Sequence, residues 1–214
     1  MACLNGRNLV RYSYSYGYGP PIDVTSLGVQ VHGGMGFIEE TGAAQYYRDA
    51  RILPIYEGTT AIQANDLIGR KTVRDGGAVA KALLADVART IGALGRHDTP
   101  ACRSMKRYLE QGHDSLAAVV EFVVASVKHD PNAVFAGSVP YLKLAGIVLG
   151  GWQMARALLV AMEQRADDPS FYGAKIATAQ FFAEHVLAQA SALEASIVTA
   201  KGDEGVLALD ADQF

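Results

Sequence analysis

The stretch VAKALLADVARTIGAL at 79–94 constrains the chain most, because it sets Val79, Leu83, Leu84, Val87, Ile91 and Leu94 at intervals of three or four residues. That spacing lays an apolar stripe along one side of a helix, and the stripe needs a partner to cover it. Comparable segments follow at about 102–128, 140–165 and 171–199, the last with Phe181, Phe182, Val186, Leu187 and Leu193 on its predicted buried side. KHDPNAVFAGSVP and DDPS part them, and strand-type alternation is absent after residue 21. Long amphipathic helices with short connections predict an all-α fold, an antiparallel helix bundle.

Composition narrows the function classes. With 214 residues, half of them hydrophobic, the chain can bury one sizeable core or two small ones. A formal net charge of −3 offers no basic field, so neither nucleic acid nor an anionic membrane surface is an expected partner. The longest apolar runs, 117–127 and 144–162, are broken by Glu121, and by Gln153 and Arg156, and neither reads as a membrane span. Cys3 and Cys102 show neither metal-ligand spacing nor a disulfide framework, which suits a reducing cytoplasm. His97, His113, His129 and His185 are scattered, so no metal site is expected there, and Trp152, Tyr172, Phe181 and Phe182 read as packing residues.

The chemistry therefore has to lie in the first third. The opening MACLNGRNLVRYSYSYGYGPP alternates Tyr with Ser and Gly, which allows a strand edge but reads first as a disordered arm, and closes on Pro20 and Pro21, which block a helix. Next, DVTSLGVQVHGG offers Asp23 or Thr25 as a cap and a glycine pair as a stop, for a short helix ending at His32 or Gly33. EETGAAQYYRDARI predicts a second helix with acids at its start and basic residues at its end. After the IYEG turn comes a third, with Ile62, Leu67 and Ile68 on one face. The GGMG run at 33–36 follows a helix and lacks a GK[ST] continuation, so it reads as a helix stop and not as a phosphate loop.

Glu57 falls on a loop or at a helix start. Taken alone, such a residue is most simply a surface acid stabilised by the helix dipole. To serve as a general base it needs an apolar, water-poor pocket that raises its pKa. Ile55, Tyr56 and Gly58 would suit one, and the residues leave both readings open.

The run LGVQVHGGMGFIEETGAAQYYRDARILPIYEGTTAIQANDLIGRK at 27–71 contains QVHGGMGF, YYRDARI and IYEGT in order. It resembles the C-terminal catalytic segment of the acyl-CoA dehydrogenases, flavoenzymes that oxidise an acyl-CoA thioester to its trans-2-enoyl form. YLKLAGIVLGGWQMARAL and FYGAKIATAQFFAEHVL resemble the additional C-terminal helical domain of a long subgroup, which includes methylthiopropanoyl-CoA dehydrogenases. The resemblance implies a catalytic segment at 22–73 and a helical bundle domain at 74–199, flanked by the arm at 1–21 and a tail at 200–214. It also implies FAD as cofactor, an acyl-CoA substrate, electron-transfer flavoprotein as acceptor, and a homo-oligomer or complementing chain that completes the flavin site.

Residue by residue, Glu57 matches the glutamate that removes the α-proton while a hydride leaves Cβ for flavin N5. Gly58 matches the substrate-facing glycine and Tyr56 the aromatic lining beside it. Thr59 matches a residue next to the FAD. Gln30, Val31, Gly33 and Gly34 match the segment that touches the adenosine and pyrophosphate of FAD held mainly by a neighbouring subunit. Full-length members carry an N-terminal helical domain and a middle β domain, which do not fit into residues 1–21. Two expectations follow: the C-terminal part of a dehydrogenase, active when another chain supplies those domains, or a helical module without catalysis.

Overall fold

The computed structural model describes residues 21–213, and among these the chain is all-α, with helices and turns and no strand. The arm expected at 1–21 lies outside the described residues except for Pro21, where helix α1 (21–31) is already running. Pro20 and Pro21 thus do not delay the helix to Asp23. A proline obstructs the turn before it, through its missing N–H and its ring, and leaves the residues after it free to be helical. Nor does Thr25 cap: its hydroxyl donates to the Pro21 carbonyl at 2.6 Å, back along the helix.

The chain divides between Ala64 and Asn65 into two compact units. In the first, α1 is followed by α2 (Gly34–Phe37), a 3-10 turn at Glu39–Thr41, and α3 (Ala43–Arg51). The predicted acid-led helix is split, because Gly42 sits at φ 79 and leaves Glu39 and Glu40 in the 3-10 turn. Only a residue without Cβ takes that conformation cheaply. In the GGMG run, Gly36 is the packed glycine: a Cβ there would collide with the Val29 carbonyl of α1.

Helix α4 (Thr60–Asp66) runs on into a π-helical turn at Leu67–Val73. Ala64, Leu67, Ile68 and Thr72 are buried, whereas Ile62 is 59% exposed. At 100° per residue, Ile62 points roughly 120–140° away from Leu67 and Ile68, so it cannot share their face.

The second unit is the bundle: α5 (Ala78–Leu94), α6 (Pro100–Ser126), short α7 (Pro131–Ala136), α8 (Ser138–Glu163), α9 (Pro169–His185) and α10 (Ala190–Val198). Three of these start in the same way. Thr99, Asp130 and Asp168 each precede a proline and accept from the backbone N–H three residues on, at 3.3, 3.1 and 3.0 Å. The proline occupies a position whose N–H has no helical partner, and the side chain satisfies one that would otherwise be orphaned.

Helix α8 packs on α5, α6, α9 and α10. By length and composition it could cross a membrane, yet 61% of its most apolar window is buried inside the protein. Contact with four neighbours accounts for a helix that is apolar nearly all round. Val79 is 39% exposed, so the α5 stripe begins at Leu83. The helix predicted over 171–199 breaks at a 3-10 turn, Leu187–Gln189; Leu187 is 1% exposed while Phe181, expected inside, is 59% exposed.

Two polar contacts tie this unit together and can be tested. The buried Thr72 hydroxyl and the Tyr141 phenol lie 2.9 Å apart, joining the π-helical turn to α8. Burial pushes the Tyr141 phenol up to about 12. Thr72→Val should cost the bundle about 1–3 kcal/mol in urea denaturation, since the phenol loses its partner. Adding Tyr141→Phe should recover part of that loss, and a single mutant as stable as the parent would remove the contact from the account.

The second contact holds the segment after α10. Asp130 Oδ1 caps α7, while Oδ2 accepts from the Gly202 N–H at 2.8 Å. The Gly202 and Ala133 N–H groups hold its carboxyl below the usual carboxylate value. A depressed pKa means that this tie is present above the unfolded-state value and is lost as pH falls through the folded one. Asp130→Ala should accordingly speed trypsin cleavage at Lys201 at neutral pH; an unchanged rate would show that other contacts hold the segment.

Candidate active site

The turn after α3 winds tightly. Tyr56 N–H donates to the Ile52 carbonyl at 3.3 Å and Thr60 N–H to the Pro54 carbonyl at 3.2 Å, which brings the start of α4 back over the turn. Glu57 stands at the tip with φ 55, and Gly58 follows with φ 92. Among the described residues Glu57 is the one non-glycine residue with positive φ. For a residue with a Cβ that conformation costs about 1–2 kcal/mol, which something nearby must offset. Gln63, one turn into α4, donates from Nε2 to the Glu57 carbonyl at 2.7 Å, while its own backbone N–H donates to Thr59 O at 3.0 Å.

The predicted residues fall into two groups within this unit. Tyr56, Glu57, Gly58 and Thr59 are consecutive on the turn, with Glu57 and Thr59 exposed and Tyr56 39% exposed. Among the described residues the Glu57 carboxylate makes no hydrogen bond or ion pair. The apolar enclosure that a base requires is therefore not supplied by Ile55, Tyr56 and Gly58 themselves: Ile55 is 50% exposed.

Gln30, Val31, Gly33 and Gly34 gather at the end of α1, all exposed, Val31 by 86%. Gly33 has φ 61, and beyond the adjoining backbone no described atom lies within 4 Å of where a Cβ would sit on Gly33 or Gly34. This open backbone edge leaves room for close approach by another group. It does not form a cavity that would enclose a flavin.

Away from these groups, no cluster of three His, Cys, Asp or Glu residues able to hold a metal occurs among the described residues. Trp152 packs as expected, 8% exposed with its Nε1 donating to Thr90 Oγ1 at 2.8 Å. Sequence reasoning passed over Gln63. Its signal was a polar residue at the end of IYEGTTAIQ, six places after Glu57 and on the first turn of the following helix.

The family follows from this fold together with these motifs. A model described as acetyl-CoA dehydrogenase C-terminal like matches residues 83–210, and one described as acyl-CoA dehydrogenase, C-terminal domain, matches residues 22–72. The chain belongs to the acyl-CoA dehydrogenase family and corresponds to its C-terminal part. Over 184 residues it is 52% identical to 3-methylmercaptopropionyl-CoA dehydrogenase of Ruegeria pomeroyi, covering 85% of this chain and 31% of that protein. A broad-specificity linear acyl-CoA dehydrogenase of Mycobacterium tuberculosis is 32% identical over 198 residues, 87% of this chain and 32% of that protein. Butyryl-CoA dehydrogenase of Syntrophomonas wolfei is 30% identical over 169 residues, 76% and 27% of the respective chains. This chain thus spans about a third of the length of the relatives it matches.

Proposed function

We propose that this chain acts as the C-terminal portion of an FAD-dependent acyl-CoA dehydrogenase, with Glu57 as the base that takes the α-proton of the acyl thioester. The observation that carries the reading is the Glu57 backbone, held at φ 55 on a hydrogen-bonded turn. Residues kept in such costly conformations cluster at reacting sites. An α-proton is too weakly acidic for a free carboxylate, so the thioester carbonyl has to be held by donors as negative charge develops on it. The N–H of Glu57, which donates to no described residue, would serve as one of them. FAD, when bound, supplies the hydride acceptor, so the acyl group loses a proton to Glu57 and a hydride from Cβ and leaves as the trans-2-enoyl thioester.

In this reading Tyr56 and Gly58 line the acyl group, Thr59 lies beside the flavin, and Gln30, Val31, Gly33 and Gly34 meet flavin held mainly by a neighbouring or complementing chain. Electron-transfer flavoprotein takes the electrons. Residues 22–73 act as the catalytic segment and 74–199 as a bundle domain. The exposure of Glu57 and the separate core of the bundle favour a second reading, a helical module without catalysis. Purifying the chain with FAD and titrating it with acyl-CoAs, methylthiopropanoyl-CoA and butyryl-CoA included, separates the two. A bound-flavin spectrum that bleaches, with the chain alone or mixed with a chain carrying the remaining domains, supports the first; a protein that stays colourless and reduces no dye in both arrangements leaves the second.

A further inference from the structure

We infer that Gln63 is a positioning residue for Glu57, selecting the backbone conformation in which that glutamate reacts; this rests on the reading of Glu57 as the proton acceptor. The bond from Gln63 Nε2 to the Glu57 carbonyl, 2.7 Å long, fixes the plane of the Glu57–Gly58 peptide. Fixing that plane sets ψ of Glu57 and φ of Gly58 together, and with them the direction in which the Glu57 N–H and carboxylate leave the turn. The donor is itself anchored, because the Gln63 backbone N–H is bonded to Thr59 O and its side chain is half-buried.

Gly58 provides the path. A Cβ there would come 3.2 Å from Gln63 Nε2 and 3.4 Å from Ile62 Cγ2, so any other residue would press on the amide as well as strain at φ 92. Few side chains can replace Gln63. The position needs the length to span the turn and an N–H to donate, and an ionised glutamate of the same shape only accepts. A single hydrogen bond and the cost of a left-handed residue are of similar size. Losing the bond therefore returns Glu57 to a mixture of conformations without unfolding anything.

The test compares the full chain with Gln63→Ala, Gln63→Glu and Glu57→Gln. In isotope-labelled protein the Cα and Cβ shifts of residue 57 report its backbone state whether or not the chain turns over substrate. They should show the left-handed state in the parent and in Glu57→Gln, and should move toward unstructured values in both Gln63 variants with the helix content unchanged. Identical residue-57 shifts in the parent and the two Gln63 variants would overturn the inference. With flavin bound, Gln63→Glu should lower kcat on the order of 100-fold, the size expected for a misplaced catalytic group, and leave KM within threefold. Wild-type kcat in Gln63→Glu beside an inactive Glu57→Gln would refute the role of Gln63 alone. Full turnover in Glu57→Gln would instead refute the assignment of the base, with the shifts still deciding whether Gln63 sets the turn.

Discussion

On the proposed function, Glu57→Gln in the flavin-loaded complex should abolish acyl-CoA-dependent flavin bleaching, with a loss of about 1,000-fold or more, while flavin affinity and thermal midpoint stay at parental values. The magnitude follows from what a positioned base contributes, about 100- to 10,000-fold, together with the inability of an amide to hold the α-proton. The selectivity follows from the structure. Glu57 is exposed and its carboxylate has no partner among the described residues, so its removal strands no buried group. Surface substitutions of this kind stay within about 0.5 kcal/mol of the parent. The conformation of the turn is preserved as well, because Gln63 holds the backbone carbonyl of residue 57 and not its side chain. Stopped-flow absorbance at the flavin band with saturating acyl-CoA measures the effect. A variant that bleaches at the parental rate removes Glu57 from the reaction, and one that loses flavin shows that the turn, and not the carboxylate, was disturbed.

What could be read beforehand divides along physical lines. The stripe of α5 was visible from Leu83 to Leu94 because a helix repeats its buried positions every three or four residues. The same rule failed for α9, whose only fully buried residues are Ala179 and Ala183. Phe181 and Phe182 are equally apolar neighbours about 100° apart, so spacing could not tell which of them faces the core. Asp-Pro pairs were read as breaks between helices, and they are, but Asp130–Pro131 also starts one: α7. In the site, the IYEG motif singled out Glu57 through family likeness, whereas its positive φ was not legible. Nothing about a glutamate favours that region locally; the conformation is imposed by a hydrogen bond from a side chain on the next helix.

Leu187→Ala should destabilise the bundle by about 3–4 kcal/mol, a large part of the 5–15 kcal/mol typical of a whole domain. Leu187 is the point at which the expected single helix breaks, and the break has a packing cause. Its side chain is 1% exposed and lies against two glycines of the central helices. A Cβ on Gly151 of α8 would stand 2.7 Å from Leu187 Cδ1, and one on Gly112 of α6 would stand 3.4 Å from Cδ2. The notch left by those missing methyl groups receives the leucine, and the turn at Leu187–Gln189 directs α10 onto α6 and α8. Truncating Leu187 opens a cavity between helices that are held by their other contacts, so the walls cannot collapse fully and the middle of the Leu→Ala range, above its lower limit, applies. Gly151→Ala approaches the same contact from the other side and should cost about 1–3 kcal/mol by overpacking. Since the new methyl group occupies part of the space that Leu187→Ala vacates, the double mutant should be more stable than the two separate losses predict. Urea denaturation followed by helix signal, with the slope of the transition unchanged, gives all three values. Additive losses would place the two residues in separate packing environments, and a loss below about 1 kcal/mol for Leu187→Ala would mean that the junction between α9 and α10 rests on other contacts.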